Sequence, residues 1–205
     1  MKKFDNTDKF IITIILIIVI STILVYKPFD FLNNTTESFY YDNGEDTFLV
    51  TRAVDANYDG WEIQLYSNDR AYIIDSLSNP KNIENITIEG NINTLLNDKK
   101  VYFTYDPEQQ MNTDLLKAEY EVGKILTNVY LYNIKIDIGT LTPTKDLPLI
   151  TCENATASSS VIVFTLGDEV SVKEENNCIT LTGRNEKELI MTANRLTLTL
   201  LGIMK

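Results

Sequence analysis

The 205-residue chain has no histidine, two cysteines and one tryptophan, and it is short of positive charge. It carries 18 Lys and Arg against 29 Asp and Glu, a formal net charge of −11. Each shortage excludes something. Without histidine there is no Ser-His-Asp or Cys-His catalysis, no H-E-x-x-H metal site and no His-liganded zinc. The one side chain that titrates near neutrality unperturbed is also gone. An acidic balance excludes nucleic acid as a partner, because neutralising phosphates needs a basic surface. No G-x-S-x-G elbow and no Gly-rich phosphate loop occurs either.

What the chain does have is one long apolar run. Phe10 to Tyr26 (FIITIILIIVISTILVY) holds 17 residues without a charge. At helical rise it spans roughly 25 Å, enough with its flanks to cross a hydrocarbon core. Lys9 and Lys27 bracket it, and Lys2, Lys3 and Lys9 precede it. The positive-inside bias then puts residues 1–9 in the cytoplasm as a stub and residues beyond about 28 outside the cell membrane. The exit Ser21 to Tyr26 makes a poor cleavage site, and neither a Gly or Ala ahead of Phe10 nor an internal Glu supports a pilin-like leader. The expectation is an uncleaved, single-pass signal anchor. Residues 28–205 hold 14 basic against 27 acidic side chains, a net −13 on the outer side.

Both cysteines, Cys152 and Cys178, fall in that outer part. An even count in an extracytoplasmic domain reads as one disulfide, here closing a loop worth about 3 kcal/mol in the chain-entropy account. Free buried thiols and an intermolecular bridge are the alternatives. Four N-x-[ST] sequons, at Asn33, Asn34, Asn85 and Asn154, permit glycosylation on the same side.

Residues 27–45 read as a linker that becomes structured near Phe39, and 46–205 as the extracytoplasmic domain. Asp46 to Ala53 and Trp61 to Tyr66 have strand character, with Asp59-Gly60 as the hairpin signal between them. Ala71 to Leu77 reads as another strand, followed by a break at Ser78-Asn79-Pro80, and Ile83 to Glu89 alternates like a strand. Val101 to Tyr105, an amphipathic helix over Thr113 to Tyr130, and Asn133 to Ile138 closed by Gly139 together form a βαβ unit. Val161 to Leu166 has the continuous apolar character of a strand buried on both faces. Glu169 to Lys173, Cys178 to Thr182 and a helix capped by Asn185 and ended by Gly202 complete a C-terminal β-β-α element. The fold class is α/β: a mixed-sheet α/β sandwich behind one transmembrane helix.

Two stretches carry a resemblance. The first comprises Lys99 to Pro107 (KKVYFTYDP from Lys99 on), Ala118 to Leu126 (AEYEVGKIL) and Asn133 to Ile138 (NIKIDI). The second runs from Leu147 to Thr156 (LPLITCENAT) through Val161 to Phe164 and Asn176 to Gly183 (NNCITLTG), ending in Ala193 to Leu196 and Leu200 to Ile203. Together they resemble a group of archaeal envelope proteins with one N-terminal span and a small outer α/β domain. The resemblance implies location and architecture, and the paired cysteines match it. It brings no activity and no catalytic residue.

Three candidate sites remain. Asp55-x-Asn57-x-Asp59-Gly60 matches the first half of a calcium loop, but Tyr66 stands where the bidentate Glu belongs, so a polar hairpin turn competes for the same residues. Asp106 and Glu108 follow a strand of the βαβ unit, where α/β sheets place ligands, and Asp137 could join them as a carboxylate pair. Ser158-Ser159-Ser160 reads as a loop. Trp61, Tyr66, Tyr72, Tyr102 and Tyr105 offer either an aromatic face or core packing. The functional expectation is a non-enzymatic interaction or assembly component of the envelope, with no required cofactor and with other envelope proteins as partners. The alternatives are a carboxylate-dependent glycan-processing enzyme and a calcium-binding module.

Overall fold

The structure is a computed structural model that describes residues 37–205 apart from 57, 68–69, 98–99 and 110–112. The expected stub 1–9, the span Phe10 to Tyr26, Asn33, Asn34 and Asn57 lie outside the described residues. Among the described residues no helix is long and apolar enough to cross a membrane. Ser38–Lys205 forms one compact unit.

The unit begins with a four-stranded antiparallel meander, β1 (Ser38–Asp42), β2 (Thr47–Val54), β3 (Asp59–Ser67) and β4 (Arg70–Ser76), in spatial order β1-β2-β3-β4. Strand period two sorts its side chains. Tyr41, Phe48, Val50, Ile63, Leu65 and Ile74 point into the core, whereas Tyr40, Gln64, Tyr66 and Ile73 face outward. Burial of Tyr41 draws the end of the 27–45 segment into the sheet, so β1 occupies part of the expected linker. The β2–β3 turn is Asp55 to Tyr58, closed by Asp55 N donating to Tyr58 O at 2.8 Å. Asp59-Gly60 is therefore not the turn. It opens β3, where a Cβ on Gly60 would fall 2.3 Å from the Tyr58 ring and 2.8 Å from Ser76 O.

A one-turn helix follows, α1 (Pro80–Ile83), with Asn79 as N-cap and Pro80 in the first turn. Only Thr87–Glu89 of the expected 83–89 strand pairs, as β5. A second, six-stranded sheet then assembles from β5, β6 (Lys100–Tyr105), β7 (Lys135–Thr140), β8 (Ser159–Leu166), β9 (Ser171–Glu175) and β10 (Cys178–Gly183). Its order is β5-β9-β10-β8-β6-β7. All neighbours run parallel except β9 and β10, the hairpin pair. The βαβ unit is β6, α2 (Thr113–Leu126) and β7, with β6 and β7 adjacent and parallel. The C-terminal β-β-α is β9, β10 and α3 (Glu186–Leu200). Asn185 caps α3 by accepting from Glu188 N at 3.0 Å, and Gly202 ends it at φ +70°.

Ten of the fifteen residues of α3 are buried, on every side of the helix. That burial requires cover on both faces. Sheet residues Ile162, Phe164, Ile179 and Leu181 share one core with Val122, Leu126, Leu189 and Leu196 of the helices and with Phe48, Ile63 and Ile74 of the meander. The layers are meander, helix pair, mixed sheet.

The far face of the mixed sheet is closed by residues 141–158. Ile150, Val161, Val163 and Cys178 make a small second core there. Thr104 Oγ1 donates to Ile150 O at 2.8 Å, Ile150 N donates to Thr140 O at 2.9 Å, and the disulfide joins Cys152 to Cys178 of β10. Gly139 does not stop β7, which continues to Thr140. It is glycine because the covering segment passes directly over it: a Cβ would sit 2.4 Å from Ile150 Cγ1 and 3.0 Å from Pro148 O. Gly139→Ala is expected to destabilise the domain by about 1–3 kcal/mol, since packed main chain and a β-branched side chain have no room to yield. Urea unfolding of the variant beside the wild type measures this.

Candidate functional site

The α2 helix ends at Leu126, four residues before the expected Tyr130. Asn128 is the cause. Its main-chain oxygen accepts from the amides of Leu131, Tyr132 and Asn133, and its side chain accepts from Tyr130 N at 2.9 Å. The chain winds tightly round Asn128, reverses at Asn133 (φ +53°) and leaves Tyr130 66% exposed. Tyr132 is fastened inward, its hydroxyl donating to Leu200 O at 2.6 Å, while the Arg70 guanidinium lies 5.7 Å from the Tyr130 ring centre.

This turn forms one wall of an open groove of about 650 Å³. The other wall is the end of the meander, with Tyr40, Asp46, Gln64 and Tyr66. Tyr40 is 71% and Tyr66 76% exposed. Residues 64 and 66 share a face by strand period, and Tyr40 and Tyr66 stand two strands apart, roughly 10–12 Å. Of the aromatic residues expected to compete between face and core, Tyr66 alone is strongly exposed. Trp61, Tyr72, Tyr102 and Tyr105 are half-buried against the two cores. Tyr40 and Tyr130 were not singled out by sequence, because the groove is built from three separated segments.

The expected carboxylate set is dispersed. Asp106 follows β6 and accepts from Glu108 N at 3.0 Å, a local turn. Asp137 pairs in register with Tyr102, four residues before Asp106 along parallel strands, which is roughly 13 Å away. There Asp137 bridges Lys100 at 2.6 Å and Lys135 at 3.1 Å, and hydrogen bonds from Lys100 and then Lys135 hold its carboxyl below the usual range. Asp55 accepts from Tyr58 N at 2.9 Å and Asp59 meets Arg52 at 3.2 Å. Asn85 and Asn154 are both exposed, and the Asn154 side chain also accepts from Thr151 N at 2.8 Å. Ser159 and Ser160 belong to β8 rather than to a loop. Among the described residues no group of three or more Asp, Glu or Cys is placed to hold a metal ion.

Two buried acids on α2 escaped sequence reading, since each sits beside the apolar stripe. Glu121 is 1% exposed. Its carboxylate accepts from Asn194 Nδ2 of α3 and from Leu77 N at 3.3 Å, and it meets Lys124 at 2.6 Å. Glu119 is buried with Oε1 unpartnered among the described residues, and desolvation pushes its carboxyl up to about 7. Arg195 is buried too. It donates to Ile86 O at 3.1 Å, to Thr199 Oγ1 at 2.9 Å and to the main-chain oxygen of Lys205. Burial lowers its affinity for the proton.

The chain matches no protein-family model, and no curated protein or solved structure is similar to it. The groove and the buried acids must be interpreted from their own chemistry.

For Glu119 the sign follows from linkage. Its pKa is raised on folding, so the folded state holds the proton while the unfolded chain, near 4.5, releases it. The stabilising effect is complete below about pH 4.5 and is lost as pH rises towards 7, a change on the order of 3 kcal/mol. Glu119→Gln should remove that part of the slope. Urea midpoints of both proteins across pH 4 to 8 measure it, and identical slopes would contradict the assignment.

Proposed function

We infer that this protein is a membrane-anchored, extracytoplasmic interaction component of the cell envelope, working by binding rather than by catalysis. The observation that carries the reading is the disulfide between Cys152 and Cys178. Such bonds persist in oxidising compartments and are rare in the cytosol. This bond pins the segment over the mixed sheet, so it belongs to the folded architecture. The uncharged run Phe10 to Tyr26, with lysines gathered ahead of it, supports an N-in anchor for the same topology. Asn85 and Asn154, both exposed, are compatible with glycosylation on the outer side.

A binding role is supported by the groove at the end of the meander. Monomeric domains seldom leave several large aromatic side chains exposed around one concavity without using them. The remaining surface is acidic and well solvated, which suits a domain held above a membrane without adhering to it.

Lysine labelling of intact cells tests the topology. A membrane-impermeant amine reagent is expected to modify Lys81, Lys117 or Lys187 before lysis and to leave Lys2 and Lys3 unmodified. Modification of the domain lysines only after lysis would overturn the reading.

A further inference from the structure

We propose that the groove between the meander and the Tyr130 turn is a saccharide-binding site, which takes a neutral oligosaccharide chain along the line of Tyr40, Tyr66 and Tyr130. The proposal rests on the reading of the protein as an outward-facing interaction component and names the ligand of that surface.

Four properties of the groove converge on this ligand. First, three strongly exposed tyrosines, Tyr40, Tyr66 and Tyr130, line it, and each carries an apolar ring with a hydroxyl. A pyranose ring has the matching duality, a C–H face that lies on an aromatic ring and an equatorial fringe of hydroxyls. Second, two residues with hydrogen-bonding side chains share the lining. Gln64 and Asp46 line the groove, and neither side chain has a hydrogen-bond or ion-pair partner among the described residues. A carboxylate and an amide together accept from and donate to vicinal hydroxyls, which carry both functions on each oxygen. Third, the volume of about 650 Å³ lies in the range of small-ligand sites, and the groove is open, so a chain can extend beyond it. Fourth, charge removes the main competitors. The Arg70 guanidinium stands beside Tyr130, but with a net −13 beyond residue 28 and Asp46 in the groove the balance disfavours a phosphate-bearing chain or an anionic headgroup surface.

The walls are also held in place before any ligand arrives. Tyr40 and Tyr66 stand on β1 and β3, which both pair with β2, and the Tyr130 turn is fastened by Asn128 and by the Tyr132–Leu200 hydrogen bond. Ordering costs on binding are correspondingly small.

The test titrates the full chain, in a detergent without a sugar headgroup, with soluble hexamers of glucose, mannose, galactose and N-acetylglucosamine, followed by calorimetry. At least one hexamer is expected to bind. Tyr66→Ala and Gln64→Ala should each weaken that binding by about tenfold or more. Tyr120→Ala, an equally exposed tyrosine on α2, should leave it unchanged. All three substitution sites are exposed, so circular dichroism should show each variant folded. No binding of any hexamer at millimolar concentration overturns the proposal, as does binding that Tyr66→Ala leaves intact. If the lysine labelling places the domain outside while no hexamer binds, the interaction reading stands and the saccharide assignment falls.

Discussion

Two helices covered by sheets on both faces have few places to put a polar group, and the structure depends on how one carboxylate meets that constraint. Glu121 of α2 is almost wholly enclosed, yet it joins three parts of the domain: Lys124 on its own helix, Asn194 on α3 and the main chain at Leu77, just past the meander. A buried charge is tolerated only when paired and hydrogen-bonded. Glu121 therefore specifies the register of one helix against the other and of the meander against both. The other polar residues of α3 obey the same rule at shorter range. Thr192 and Thr197 donate to carbonyls one turn back, and Arg195 is spread over Ile86, Thr199 and Lys205.

This layering decides which surfaces are free for function. The inner face of the meander is committed to the helices, so its outer face and its end remain for a ligand. The far face of the mixed sheet is occupied by the segment that Cys152 ties to β10. The groove and the disulfide thus lie on opposite sides of the domain.

Much of this was legible from the residues alone. Period two marked β3, a continuous apolar run marked β8, and the capping residue Asn185 with Gly202 framed α3 within a residue or so. The disulfide followed from an even pair of cysteines, both beyond the apolar run. Other features were hidden for physical reasons. Gly60 and Gly139 look like punctuation in sequence, but each is a strand residue where another part of the fold approaches too closely for a Cβ. The end of α2 depends on one asparagine that gathers three amides, which periodicity does not register. The groove was the least visible. Its tyrosines come from β1, β3 and the turn after α2, and only the fold brings them to one concavity. Asp106 and Asp137, which pattern had suggested as partners, are separated by the length of a strand.

The central claim is that the helix pair is enclosed between the two sheets and organised by Glu121, and equilibrium unfolding of Glu121→Ala tests it most directly. If the layers are as described, removing the carboxylate strands Asn194 and the Leu77 amide in a dry interior, and stability falls by about 3 kcal/mol or more. A change within about 0.5 kcal/mol, the range of an ordinary surface substitution, would contradict the account.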